Sequence, residues 1–278
     1  MIGDQLDSSG RCGSLLDALR ALGSALVAFS GGVDSAFLVA AVKESGIPYL
    51  AVTALSPTMP AHDLEDVKNM VQDMGIPHRF VESDTMDDAD FVKNTKDRCF
   101  FCKSSLFKDL TTLAQREGFA VVLDGSTTDD LNDYRPGMRA KHQFEVISPL
   151  LDAGLSKEDV RRLSRERGLK TWNKPASPCL SSRISYGEPI VIESLRLVES
   201  AENKLRRMGF GTLRVRKQGE TARIELTDAE IPRLLDAALR KRVADELRQT
   251  GFKYVVLDLE GFQSGKLNRV ISVQASRS

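Results

Sequence analysis

Residues 25–35 read ALVAFSGGVDS, and AFLVAAVKE (36–44) follows at once. An apolar run, a glycine-paired polar hexapeptide and then apolar residues at helical spacing predict strand, tight turn and helix. That order opens a nucleotide-binding α/β unit. The two glycines let the backbone approach an anion closely, and the helix behind them presents amide donors that have no intrahelical partner. Ser30 and Ser35 add hydroxyls at phosphate-oxygen reach. The plainer alternative is a strand-to-helix turn in which Asp34 and Ser35 simply start the helix. No Lys-Ser or Lys-Thr follows the glycines, which argues against a Walker loop and γ-phosphoryl transfer.

Outward from this stretch, YLAVTA (49–54), HRFVES (78–83) and AVVLDGS (120–126) predict further strands. Helical spacing occupies 61–74, 103–117 and 156–167. Such alternation predicts a parallel sheet with helices on both faces. The pattern changes after Arg183: a helix over 191–210, strands at TLRVRKQ (212–218) and TARIELT (221–227), a helix over 228–249 and a strand at YVVLDLE (254–260). The expected organisation is an α/β domain over 1–183 and a smaller α+β domain over 184–278, joined through ISYGEPI (184–190).

The 278 residues are 41% hydrophobic and 28% charged, the mix of a globular chain with a full core. Lysine plus arginine equals aspartate plus glutamate at 39 each, which argues against a surface built for nucleic acid. No apolar run approaches the ~20 residues of a membrane span, and MIGDQLDSSGRCGS (1–14) lacks a secretory apolar core. The expectation is a cytoplasmic chain with no membrane or nucleic-acid partner. Thiols stay reduced there, so paired cysteines point to metal or redox work.

RCFFCK (98–103) carries Cys99 and Cys102 as a C-x-x-C pair before a helix, with Lys103 beside it. Cys179 sits in the polar stretch SPCLSSR (177–183), between Lys174 and Arg183, a setting that favours a thiolate. Three thiolates can hold three irons of a 4Fe–4S cluster and leave the fourth open. A structural zinc wants four protein ligands, and only Cys12 remains to supply one. Three unrelated thiols and a dithiol redox pair are the other readings. Asp124 ends a strand at the edge where α/β sheets hold ligands, or it is a turn aspartate before glycine. Arg214 and Arg216 alternate along a strand and share one face, which suits a phosphorylated ligand; blunting an edge strand is the alternative. His62, His78 and His142 have no spacing that suggests a shared site, and Trp172 reads as a packing residue.

The hexapeptide SGGVDS resembles the PP-loop of the ATP pyrophosphatases. That resemblance implies cleavage of ATP between its α and β phosphates, with Ser30, Gly31, Gly32, Asp34 and Ser35 at the pyrophosphate and Mg2+. Longer stretches, DGSTTDDLNDYRPG (124–137), WNKPASPCLSSRISYG (172–187), LRVRKQGETARIEL (213–226) and YVVLDLEGFQSGKLN (254–268), resemble the LarE sulfur transferases over nearly the whole chain. Those enzymes belong to the PP-loop group and help build the nickel-pincer nucleotide cofactor of lactate racemase. The resemblance implies adenylation of a carboxylate on a pyridinium mononucleotide, then sulfur delivery to give a thiocarboxylate. Members that consume their own cysteine carry it one position earlier than Cys179, where this chain has Pro178, and lack the C-x-x-C pair. Another branch has three cysteines patterned like Cys99, Cys102 and Cys179 and uses a 4Fe–4S cluster as sulfur carrier. This chain looks like the second branch.

Cys179, Lys103 and Arg183 are then the candidate catalytic groups, with Arg214 and Arg216 on substrate. Glu202 and Glu225 match acidic positions of the family pattern and either hold a metal ion or order the arginines. The resemblance also implies a homo-oligomer, and it leaves the sulfide donor unnamed. The competing functions are a PP-loop tRNA 2-thiolation enzyme, an amidating synthetase, for which no glutamine-hydrolysing domain is present, and a nucleotide-binding regulator.

Overall fold

The computed structural model describes residues 8–132 and 137–269; residues 133–136 of DGSTTDDLNDYRPG lie outside them. In chain order its main elements are α1 (Ser8–Ala21), β1 (Ala25–Ala28), α2 (Val33–Ser45), β2 (Tyr49–Leu55), α3 (Ala61–Met74), β3 (His78–Glu82), α4 (Ala89–Val92) and α5 (Arg98–Glu117). Then come β4 (Val121–Leu123), α6 (Gly137–Gln143), α7 (Pro149–Asp152), α8 (Lys157–Glu166), α9 (Ile192–Arg207), β5 (Leu213–Gln218), β6 (Thr221–Leu226), α10 (Ala237–Thr250) and β7 (Tyr254–Leu257). None of the described helices is long and apolar enough to cross a membrane.

Two compact units result: residues through Thr85 with Cys99–Ser177, and Met86–Arg98 with the chain from Pro178 onward. The first is a Rossmann-like α/β fold whose four parallel strands lie in the order β3-β2-β1-β4. Period-two alternation buries the central strands on both faces. Ala25, Val27 and Ala51 join one core with Phe37 of α2, Leu15 and Leu19 of α1, and Leu163 of α8. Leu26 and Val52 join the other with Phe107 and Leu110 of α5. A fully buried Leu or Phe contributes roughly 1.5–3 kcal/mol, so the two helical layers hold the sheet between them. Strand β1 has β2 on one side and β4 on the other, which makes the carboxyl ends of β1 and β4 the switch point where such sheets take ligands.

The second unit carries a three-stranded sheet in the order β5-β6-β7, antiparallel between β5 and β6 and parallel between β6 and β7. The apolar stripe of α9, with Leu195, Val198 and Leu205 buried, packs beside β5, whose Leu213 and Val215 are buried as well.

Three expectations change. The helix at 98–117 begins five residues ahead of position 103, so Cys99 and Cys102 lie in its first turn, not before it. The helix expected over 228–249 is broken: Pro232 sits in a separate 3-10 turn at Ile231–Leu235, and Asp236 caps α10 through its carboxylate, because proline cannot continue a hydrogen-bonded helix interior. Segment 86–98 and Pro178–Arg183, read in sequence with the first domain, group with the second unit. Asn94 is the cause. Its Nδ2 donates to the carbonyls of Ser185 and Glu188, both at 2.8 Å, and its backbone holds a positive φ of 53°, which asparagine tolerates better than most residues.

Candidate active site

In the first unit the loop SGGVDS closes around its own hydroxyls. Ser30 Oγ lies 3.1 Å from Ser35 Oγ, which also donates to the Gly32 carbonyl at 3.3 Å. Gly31 adopts φ +69°, and a Cβ there would stand 2.6 Å from Val67 Cγ2. Gly32 is the N-cap of α2 and brings no side chain to its amides, which stay open to an anion. Gly31→Ala is therefore expected to cost about 2–4 kcal/mol, from left-handed backbone strain plus overpacking, read as a lower midpoint of urea unfolding.

Asp34 stands in the first turn of α2 and pairs with Lys157. Its Oδ1 is buried and has no hydrogen-bond partner among the described residues. Burial pushes its carboxyl above the ordinary range, and Lys157 offsets this only in part. A buried carboxylate oxygen with nothing to accept fits a hard dication such as Mg2+, which takes oxygen ligands.

Asp124 follows directly on β4 and is buried between two lysines, Lys103 and Lys141, each with its nitrogen 3.6 Å from a carboxylate oxygen. Ser148 Oγ donates to it at 2.6 Å and Ser126 Oγ at 2.8 Å. Burial pushes the Asp124 carboxyl up, but the two lysines and two serines outweigh it and hold it below the usual range. Lys141 is itself buried, donates to Ser148 Oγ at 2.8 Å and has its pKa lowered by burial. Gly125 comes next, and a Cβ on it would meet the Ser35 amide nitrogen at 3.0 Å. The Asp124 cluster and the glycine loop thus share the switch point. Lys174 joins them: its Nζ donates to the Gly31 carbonyl at 3.3 Å and pairs with Asp66 at 2.8 Å.

Cys99 and Cys102, three apart on the first turn of α5, lie on one helix face, the first exposed and the second half-buried. A Cβ at Gly137 would meet Lys103 Cδ at 2.8 Å and the Cys99 carbonyl at 3.5 Å, so the glycine lets α6 lie against this turn. In the second unit Cys179 is the exposed N-cap of a 3-10 turn at Leu180–Arg183. None of the three is in a disulfide. Accessible reduced thiols suit iron in chemistry, while no group of three or more His, Cys, Asp or Glu able to hold a metal is assembled among the described residues.

The second unit also holds an arginine–glutamate network. The Arg183 side chain is 0% exposed. It forms a two-pronged pair with Glu202, Nε to Oε1 at 2.9 Å and Nη2 to Oε2 at 3.1 Å. Its Nη1 donates to the carbonyls of Pro178 at 2.5 Å and Cys179 at 3.1 Å. Sequence makes Arg183 a candidate catalytic group; in the structure its side chain is turned inward, holding the Cys179 loop. Glu202 also takes Arg206 Nη2 at 3.0 Å and the Val215 amide at 3.1 Å. Glu225 takes Arg216 at 2.9 Å and Arg223 at 3.2 Å. Both glutamates therefore order arginines. Arg214 and Arg216 are only 9% and 6% exposed, which removes the solvated-edge alternative. Burial, together with Arg183 and the other nearby guanidinium groups, lowers the Arg214 pKa to about 10. Positive charge is in surplus here.

Burial pushes the Glu202 carboxyl up, yet Arg183, the Val215 amide and Arg206 hold it below its ordinary 4.5. Asp124 likewise sits below its ordinary 3.8. A depressed carboxyl stabilises the fold fully above its unfolded-state pKa and loses that contribution as pH falls through the folded value. Stability to urea is expected to be flat from about pH 7 to 5 and to fall below that. Glu202→Gln leaves Arg183 buried without its counter-charge, so it is expected to cost about 3–5 kcal/mol at pH 7 and to flatten part of the acid decline.

Sequence reasoning missed Lys141, Lys157, Arg206 and Arg223, and read Lys174 only as a charge near Cys179 and not as a partner of the glycine loop. Only Lys174 and Arg223 lie inside the stretches of family-like sequence; the others carry no periodicity or spacing that separates them from surface charge.

The family model described as Asparagine synthase matches residues 14–206. An uncharacterized protein of Synechocystis is 44% identical over 90% of this chain and 94% of its own length. The pyridinium-3,5-bisthiocarboxylic acid mononucleotide synthase of Lactiplantibacillus plantarum is 37% identical over 93% of this chain and 94% of its own length. A tRNA-specific 2-thiouridylase of Rickettsia felis is 28% identical over 55% of this chain and 52% of its own length. With the glycine loop at the switch point of a parallel sheet and the match to the synthase running through both units, the chain belongs to the LarE family of PP-loop ATP-using sulfur transferases.

Proposed function

We propose that this protein adenylates a carboxylate of a pyridinium dicarboxylate mononucleotide and then replaces the activated oxygen with sulfur. The observation that carries the reading is the glycine loop at the start of α2, beside a buried Asp34 oxygen with no hydrogen-bond partner among the described residues. A carboxylate oxygen of the substrate attacks the α-phosphorus of ATP, and the bond to the bridging oxygen of pyrophosphate breaks. Sulfide then attacks the acyl carbon and AMP leaves with the old oxygen, giving a thiocarboxylate. No electron is gained or lost by the substrate in either half.

The chain's own groups divide this work. Ser30, Gly31, Gly32 and Ser35 cradle the pyrophosphate, and Asp34 holds Mg2+ with its open oxygen. Asp124 fixes Lys103, which meets charge that develops at the reacting phosphate. Arg183 keeps the Cys179 loop in place, and Arg214 and Arg216 offer positive charge to the substrate's anionic groups. Cys99, Cys102 and Cys179 are the ligands of a 4Fe–4S cluster, which when bound supplies an iron open to sulfide. The protein works in the cytoplasm, where such thiols stay reduced, and as a homo-oligomer, which light scattering tests.

The test is pyrophosphate release from ATP and Mg2+ with the purified chain and pyridinium-3,5-dicarboxylic acid mononucleotide. Release that depends on the mononucleotide supports the reading. Release that depends instead on tRNA, the substrate class named by the 2-thiouridylase relatives, would replace it.

A further inference from the structure

The second unit contains a cavity of about 640 Å³, whose walls include Lys96, Tyr186, Gln218, Arg223 and Lys266. That volume is in the range of small-molecule sites and well beyond a bare ion. Separate stretches build it: the segment that Asn94 ties down, the ISYGEPI linker, strands β5 and β6 through Gln218 and Arg223, and the chain after β7 from Asp258 to Arg269. Lys96, Arg223, Lys266 and Arg269 line the cavity with Asp258 and Glu260, and Glu225, which Arg223 also reaches, is matched by Arg216 behind the wall, so two positive charges are left over.

The charges are not equally engaged. Lys266 Nζ is buried and fully occupied, by Asp258 at 2.7 Å, Glu260 at 3.1 Å and the Gly261 carbonyl at 3.2 Å. Arg269 pairs with Glu260 at 2.5 Å. These contacts neutralise both carboxylates and fix the loop. Arg223 donates from Nη2 to Glu225, while its Nε, 3.5 Å from Asp258, is buried and has no hydrogen bond among the described residues. Lys96 is exposed and makes no hydrogen bond or ion pair among the described residues. Tyr186 is held rigid: its hydroxyl donates to Asn268 at 3.0 Å and Arg98 lies 4.5 Å above its ring. The cavity is thus a firm-walled pocket with one free lysine and one guanidinium, already paired with Glu225, whose Nε has no hydrogen bond among the described residues.

We propose that this cavity seats the phosphate of the mononucleotide substrate, with Lys96 and Arg223 as its anchors. The surplus of two charges matches a phosphate monoester dianion, whereas a single carboxylate would leave one cation uncompensated. Arginine supplies directed donors and lysine a mobile point charge, the usual division at a phosphate. Arg216 does not line this cavity, and its guanidinium is turned to Glu225 and to the Ser182 carbonyl at 2.6 Å. This proposal rests on the reading of the substrate as a pyridinium mononucleotide.

The test titrates the full-length protein with pyridinium-3,5-dicarboxylic acid mononucleotide and with its nucleoside, which lacks the phosphate, and follows pyrophosphate release with each. Lys96→Gln alters an exposed side chain and Arg223→Lys keeps the charge beside Glu225, so folding is preserved; matched melting curves check this. Each variant is expected to weaken mononucleotide binding by roughly tenfold, the worth of one charge-assisted hydrogen bond. KM should rise by the same factor while kcat stays within about twofold, and nucleoside binding should not move. Parent-like mononucleotide binding by both variants would overturn the phosphate site while leaving the substrate reading intact. A parent protein that neither binds the mononucleotide nor releases pyrophosphate in its presence would overturn both.

Discussion

Asp34→Asn is expected to slow ATP-dependent pyrophosphate release by roughly 10²–10³-fold, the several kcal/mol that a phosphate-bound dication contributes. The same substitution should leave the protein as stable as the parent or more so. The carboxyl is raised by burial, which means the folded state carries a charged form that it would rather neutralise. A raised carboxyl lowers stability at neutral pH, and protonation or amidation relieves that cost. The opposed signs separate a metal ligand from a structural ion pair with Lys157. If the pair with Lys157 were the reason for the residue, the amide variant would have a weaker fold and an unchanged reaction. Urea unfolding and a Mg2+ titration of pyrophosphate release on the same preparations distinguish the two.

Replacing any one of Cys99, Cys102 or Cys179 with alanine should abolish thiocarboxylate formation while adenylation survives. Loss of a cluster ligand is expected to exceed the ~100-fold upper end of the cost of lost outer-shell partners. The side chains concerned are exposed or half-buried, so no core cavity opens and unfolding does not confound the result. Thiocarboxylate yield and pyrophosphate release, measured side by side, check this. If Cys99→Ala and Cys102→Ala still transfer sulfur, the cluster is wrong and a lone Cys179 nucleophile is the better account.

The fold was legible because its signals are local. ALVAF hands over to SGGVDS and a helix within a dozen residues, and period-two burial of Leu26 against Ala25 and Val27 follows from strand geometry alone. The glycine loop was legible for the same reason. What the chain hides is non-local. Nothing in NTKDRC (94–99) announces that Asn94 will hold the linker carbonyls of Ser185 and Glu188, about ninety positions away. Arg183 reads as an active-site cation because it neighbours Cys179. Only the fold reveals that Glu202, on a helix whose other buried residues are mostly apolar, turns it inward. Lysines on helices are ordinarily solvated, so Lys141 and Lys157 cannot be told from surface residues until Asp124 and Asp34 are seen beside them.

The measurement that bears most directly on the central claim is mass spectrometry of the mononucleotide after incubation with the reconstituted protein, ATP, Mg2+ and sulfide under anaerobic conditions. The account predicts exchange of one carboxylate oxygen for sulfur, with AMP and pyrophosphate formed in equal amounts and the protein's own mass unchanged over repeated turnovers. Loss of a sulfur from Cys179 in step with a single turnover would contradict it, as would pyrophosphate release with no sulfur in the product.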